Sequence, residues 1–217
     1  AFVVVEGRVP YPMLDLDLFR RRLFSASVAS AVLNYICLYS IVFLLPFYLI
    51  QGRGLTPSQA GLILTAQPLV MAVVAPLSGA LSDRIGSRLP SSLGMAILAS
   101  GLLLLSRLGP QSSLLAVAGY LAIAGLGTGI FISPNTSALM GSAPHNRQGI
   151  ASGVLATARN VGMVIGVGVA GAIFTTVLAL GQASDPSLAL FHGVSAAFLA
   201  GSGFAALALL TSLARGS

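Results

Sequence analysis

The chain has no lysine, no tryptophan, a single cysteine and only five acidic residues among its 217 positions. One cysteine, Cys37, excludes both a disulfide framework and a cysteine-built metal site. Charged residues make up 7% of the sequence, where a soluble globular domain carries about a quarter. Hydrophobic residues reach 56% and mean hydropathy is +0.94. One core of this size cannot bury so much apolar surface. A soluble globular domain is therefore excluded, and the chain reads as a membrane protein. No Ser–His or paired-Asp constellation, H-E-x-x-H pattern or Gly-rich phosphate loop is present, so an enzyme is not expected. No cofactor or metal is expected either.

What charge there is comes mostly from eleven arginines. A pI near 10.5 might suggest nucleic acid, but that needs a basic face in polar surroundings. Here the arginines stand singly or in one short cluster between apolar runs, as topology signals do, and no nucleic-acid partner is expected.

A helix needs about 20 mainly apolar residues to cross a bilayer. Six segments qualify, at roughly 24–50, 58–80, 90–107, 113–140, 149–179 and 188–213. The connections between them are short and rich in Gly, Pro and small polar residues, which end helices. Arg8, Arg20, Arg21, Arg22, Arg84, Arg88, Arg147 and Arg215 fall on one side, against Arg53 and Arg107 on the other. The positive-inside rule makes the first side cytoplasmic, with both ends of the segment inside a multi-pass plasma-membrane protein. Residues 1–23 read as the end of a preceding span ("AFVVVE") plus an interfacial linker ("MLDLDLFRRRLF"), and 24–217 as the six-helix domain.

Small residues recur every fourth position in three spans. Ala158, Gly162, Gly166 and Ala170 form one stripe, Gly193, Ala197, Gly201 and Ala205 a second, and Gly125 with Gly129 a third. Such stripes let helix backbones approach closely. Pro46, Pro68, Pro76 and Pro134 fall inside spans, where they bend helices. Bent, glycine-rich helices suit a transporter better than an anchor.

The stretch "GALSDRIGSR" concentrates scarce charge between the second and third spans. It resembles the cytoplasmic loop signature of the major facilitator superfamily, G-x-L-[SA]-D-R-x-G-x-[RK], through Gly79, Leu81, Ser82, Asp83, Arg84, Gly86 and Arg88. Two further stretches, "PMLDLDLFRRRLF" with "LNYICLYSIVFLLPFYLI" and Gly125 to Phe174, are similar to the second half of fourteen-span drug:proton antiporters. The resemblance implies an all-α six-helix bundle, one half of that fold with its inverted 3+3 repeat. It also implies a partner half N-terminal to this one, a small amphipathic substrate, and protons coupled through that partner half, since no acid falls in the predicted spans. Gly79, Asp83, Arg84, Gly86 and Arg88 would form a gate loop at the cytoplasmic side.

In the resembling family spans one, two, four and five line a central cavity. Asn34, Tyr35, Tyr39, Gln67, Arg159 and Asn160 are the candidate cavity residues on this chain, with Gly125, Gly129, Gly162 and Gly166 packing helices. For Asn34, Gln67 and Asn160 the alternative is helix–helix hydrogen bonding. Arg159, about 15 Å into its span at 1.5 Å per residue, either faces the cavity or snorkels. His192 is expected at an interface. The function expected is proton-driven efflux of drugs or antibiotics by alternating access. The alternatives are transport of another small solute, or a sensor or scaffold without transport.

Overall fold

The computed structural model describes residues 16–182 and 186–213; Arg8, Asp15, Asp185 and Arg215, with the expected end of a preceding span at 1–6, lie outside them. All six apolar segments form helices long and apolar enough to cross a membrane, and no strand occurs among the described residues. The elements are α1 (Leu16–Phe19), α2 (Arg22–Pro46, continued as a π-helical stretch over Phe47–Gly52), α3 (Pro57–Leu64) and α4 (Ala66–Ile85). They continue with α5 (Arg88–Leu105), α6 (Leu114–Ser142), α7 (Gln148–Gln182) and α8 (Pro186–Leu213).

Local chemistry explains the boundaries. Pro46 cannot donate to the carbonyl one turn back, and the helix beyond it widens into the π-helical stretch. Thr56 and Gln59 close a reciprocal capping box over Pro57 at the first helical position, which starts α3. Pro68 likewise leaves the Leu64 carbonyl without its donor, and the second span breaks at Thr65, whose hydroxyl turns back to the Leu62 carbonyl at 2.6 Å. The second span also runs five residues past its expected end. It stops only where Gly86 takes φ +84°, a value L side chains rarely adopt. Asp83 and Arg84 consequently lie in the last turn of α4 rather than in a loop.

The helices form two rows. α4, α6, α2 and α7 stand side by side in that order, while α5 and α8 back them, α5 against α6 and α8 against α2 and α7. The pairing is swapped between the two triplets of spans. The first span packs on the fifth, and the fourth on the second. Burial follows position. In the spans at the two ends of the front row, Pro57–Ile85 and His145–Gly181, only 11% and 17% of the apolar stretch is buried, against 44–50% in the other four. At the arginine-rich end, Leu18 of α1 joins Phe24, Leu139 and Ala151 in a small second core, so α1 is folded against the bundle.

At several glycines these helices approach closely enough that a side chain would meet the neighbouring backbone or its Cβ. A Cβ at Gly162 would lie 2.6 Å from Cβ of Tyr35, and one at Gly166 would lie 2.5 Å from the Ile36 carbonyl oxygen, so α7 lies directly on α2. A Cβ at Gly125 would lie 2.5 Å from the Gln67 carbonyl oxygen, and at Gly129 3.3 Å from Cα of Met71, which seats α6 on α4. A further seam, unmarked by every-fourth spacing, joins α5 to α6. A Cβ at Gly94 would be 2.7 Å from the Gly127 carbonyl oxygen, and one at Gly127 would collide with the backbone nitrogen of Leu98. Hydroxyl bonds add to these contacts: Ser78 to the Ile130 carbonyl at 2.7 Å on the α4–α6 face, Ser30 to Thr211 at 2.9 Å between α2 and α8, and Ser92 to Ser212 at 3.0 Å between α5 and α8.

Gly127→Val should separate α5 from α6 and destabilise the bundle by about 1–3 kcal/mol, the usual cost of overpacking. Gly119→Val, where a Cβ meets nothing within 4 Å, should stay within about 0.5 kcal/mol of the parent. Thermal unfolding of the detergent-solubilised protein checks the pair; equal melting temperatures would remove the seam from the account.

Candidate functional site

The front row presents the polar side chains. Tyr35 and Tyr39 lie one turn apart on α2, so they project to the same side of the helix. Neither is fully buried. Arg159 stands on α7, exposed, three residues before Gly162, whose backbone touches Tyr35. The guanidinium therefore lies over the same patch, close enough to act electrostatically on the Tyr35 phenol, on which Tyr39 also acts. Arg159 forms no salt bridge among the described residues.

On the other flank of Tyr39, a groove of about 320 Å³ runs between α2 and α4. Leu38, Tyr39, Val42, Gln67, Pro68 and Met71 line it. The close approach at Gly125 holds the Gln67 backbone in place. Gln67 itself is only 4% exposed, and its side-chain amide nitrogen is buried with no hydrogen-bond partner. A buried donor left unpaired costs about 1–3 kcal/mol. Arg159, Tyr35, Tyr39 and Gln67 thus form one continuous strip from α7 across α2 to α4.

Two expected cavity residues do not join it. Asn34 is 0% exposed, and its amide nitrogen donates to the Met95 sulfur of α5 at 3.5 Å. It faces the interior of the bundle, because it sits about 100° around α2 from Tyr35. Of the two readings left open for Asn34, helix–helix bonding is the one its surroundings fit. Asn160 is exposed but lies about 200° around α7 from Gly162, on the side turned away from α2. It stands at the opposite end of the front row from Gln67. Asn135 bridges α6 to α2 by donating to the Ser27 carbonyl at 3.2 Å.

At the arginine-rich end, Gly86 caps α4 through its N–H to the Ser82 carbonyl at 2.8 Å. Space around it is open, so its glycine serves the backbone angle, not packing within this bundle. Gly79 does pack: a Cβ there would lie 2.6 Å from the Ser133 hydroxyl. Asp83 and Arg84 are exposed, and Asp83 has no hydrogen bond or ion pair among the described residues. It does not cap α5, whose cap residue is Ser87. Arg88 turns back to donate to the Leu213 carbonyl of α8 at 2.7 Å. Arg21 likewise donates to the Ser142 carbonyl at the end of α6, at 2.8 Å. Arg21 is expected from the sequence as a topology signal and Arg88 as a topology signal and a member of the gate loop. Their second role as helix C-caps depends on which helix ends meet in space, which spacing along the chain does not reveal. Among the described residues no cluster of His, Cys, Asp and Glu could hold a metal.

Sequence comparison places this geometry among known proteins. The profile of the Major Facilitator Superfamily matches residues 27–215. The riboflavin transporter RibZ of Clostridioides difficile is 34% identical over 177 residues, 82% of this chain and 39% of that protein. The multidrug resistance protein Stp of Mycobacterium tuberculosis is 35% identical over 177 residues, 82% of this chain and 33% of its own length. The uncharacterized transporter YebQ of Escherichia coli is 37% identical over 165 residues, 76% of this chain and 36% of that protein. The chain therefore spans roughly a third to two fifths of these relatives.

Gln67→Leu removes the unpaired amide without emptying the site. Its stability should equal the parent's or exceed it by up to about 3 kcal/mol, read as a melting temperature that does not fall. A drop of several degrees would mean that the amide is satisfied in the folded protein.

Proposed function

The chain belongs to the major facilitator superfamily, and we propose that it forms the C-terminal six-helix half of a secondary active transporter that exports amphipathic drugs or antibiotics in exchange for protons. Membership makes it part of a transporter, not an enzyme. The observation that carries the reading is the front row. Its two end spans are almost unburied, yet it displays Arg159 deep in an apolar helix. An exposed arginine at that depth is unfavourable against lipid by about 2.5–3.5 kcal/mol or more. It suits a water-accessible cavity shared with a second six-helix half. Rocking of the two halves about a midplane site then gives alternating access.

Proton coupling belongs to that second half. Among the described residues the only carboxylates are Asp17 and Asp83, both at the arginine-rich end, which the positive-inside rule makes cytoplasmic. The name of Stp supports drug efflux, while that of RibZ favours a second reading, transport of a vitamin-sized aromatic solute. Transport in inside-out vesicles bearing the full-length protein decides between them. Proton-gradient-dependent movement of a panel of amphipathic drugs supports the first. Movement of riboflavin alone supports the second, and movement of neither overturns both.

Asp83 is the gate candidate. A carboxylate in the last turn of α4 meets the negative end of that helix dipole, which is unfavourable within this half. Its compensation lies in a helix N-terminus or basic side chain of the partner half. Such a contact contributes about 0.3–1 kcal/mol at the surface and up to about 2 when partly buried. Asp83→Asn should therefore preserve insertion and abundance while lowering transport per inserted molecule by up to roughly thirty-fold. Parental turnover in Asp83→Asn would remove the gate role.

A further inference from the structure

We propose that the strip formed by Arg159, Tyr35, Tyr39 and Gln67 selects flat aromatic molecules carrying a negative charge at one end and a carbonyl-type acceptor at the other, and disfavours cations. The inference rests on the transporter reading above and deepens it by naming a substrate class.

Three independent observations lead there. The guanidinium of Arg159 is permanently charged, exposed, and without a carboxylate partner among the described residues. The only charge the strip offers a ligand is thus positive, and it fits a carboxylate or enolate, with which a guanidinium makes strong charge-assisted bonds. Tyr35 and Tyr39 follow on α2, the second lining the groove with Leu38, Val42 and Met71, which favours a flat apolar body. At the far end, Gln67 is 96% buried, lines the same groove, and holds an amide donor with nothing to donate to. Turned toward the groove, that amide would be satisfied by a ligand carbonyl. Among the described residues a cation would find no counter-charge on this wall, because the carboxylates there, Asp17 and Asp83, both sit at the arginine-rich end of the bundle.

The test uses two dyes sharing a xanthene body, anionic fluorescein and cationic rhodamine 6G, bound to the purified full-length protein in nanodiscs and followed by fluorescence polarisation. The decisive quantity is the ratio of the two dissociation constants. Arg159→Gln should shift that ratio by about tenfold toward rhodamine 6G, while Arg159→Lys retains most of the parental ratio. Gln67→Leu should weaken fluorescein several-fold and leave rhodamine 6G within about twofold. Monodispersity on size exclusion and a melting temperature no lower than the parent's certify each variant. An unchanged ratio in Arg159→Gln overturns the proposal, and so does an equal loss of both dyes in Gln67→Leu. Binding of neither dye also overturns it. Energised drug transport by the same preparation then shows whether the transporter reading survives its loss.

Discussion

Close approach of helix backbones is the constraint on which the rest of this structure depends. Lipid is as apolar as leucine, so burying leucine between membrane helices brings little gain over leaving it in lipid. What remains is dispersion, which falls steeply with distance, together with hydrogen bonds between helices. Gly162 and Gly166 against Tyr35 and Ile36, Gly125 against Gln67, and Gly94 against Gly127 supply the short distances. Hydroxyl pairs, Ser30–Thr211 and Ser92–Ser212, hold α8 to α2 and to α5. The site depends on these seams as well. Gly162 brings α7, and with it Arg159, over Tyr35, and Gly125 fixes where Gln67 can stand.

Charge is used with similar economy. With no lysine in the chain, each cation is a planar guanidinium whose several donors can reach a carbonyl while the charge stays near water. Arg21 and Arg88 each close the C-terminal end of another helix, α6 and α8, where a positive charge also meets the favourable pole of the helix dipole. On the opposite end Arg53 bonds to the Tyr48 hydroxyl at 3.3 Å and to the Ser112 carbonyl, while Tyr48 donates to the Gly109 carbonyl at 2.9 Å. That cluster ties the first connection to the third. Residues that mark the membrane boundary in the sequence thus also hold the bundle's rims together.

The number of spans, their approximate limits and the small-residue stripes were legible because each is a local property of composition and spacing. Helix phase was less so. Asn34 and Tyr35 are neighbours in sequence, yet one bonds to a sulfur inside the bundle and the other faces outward. In a soluble helix the polar face would have separated them. Here every face is apolar, so the pattern carries no such signal. The extension of α4 through Asp83 was hidden for a related reason. Charges were read as the end of a membrane segment, whereas the helix ends where the backbone requires a positive φ, at Gly86. The α5–α6 seam escaped because Gly94 and Gly101, which packs on the Ala124 backbone, are spaced by seven and because the partner Gly127 sits among other glycines.

The swapped pairing of the triplets bears on biogenesis. α2 finds its main neighbour in α7, which begins at Gln148, while α2 begins at Arg22. Ribosomes add about 5–20 residues per second, so roughly 6–25 s separate the two starts. Through that interval the Tyr35–Ile36 face of α2 stays unclaimed while the next spans are added, and for part of it the Gln67 backbone of α4 awaits Gly125. Neither face can be closed by the first triplet alone. The nascent half-bundle must therefore be shielded from wrong neighbours, by the translocon or by lipid, until its second triplet has been made.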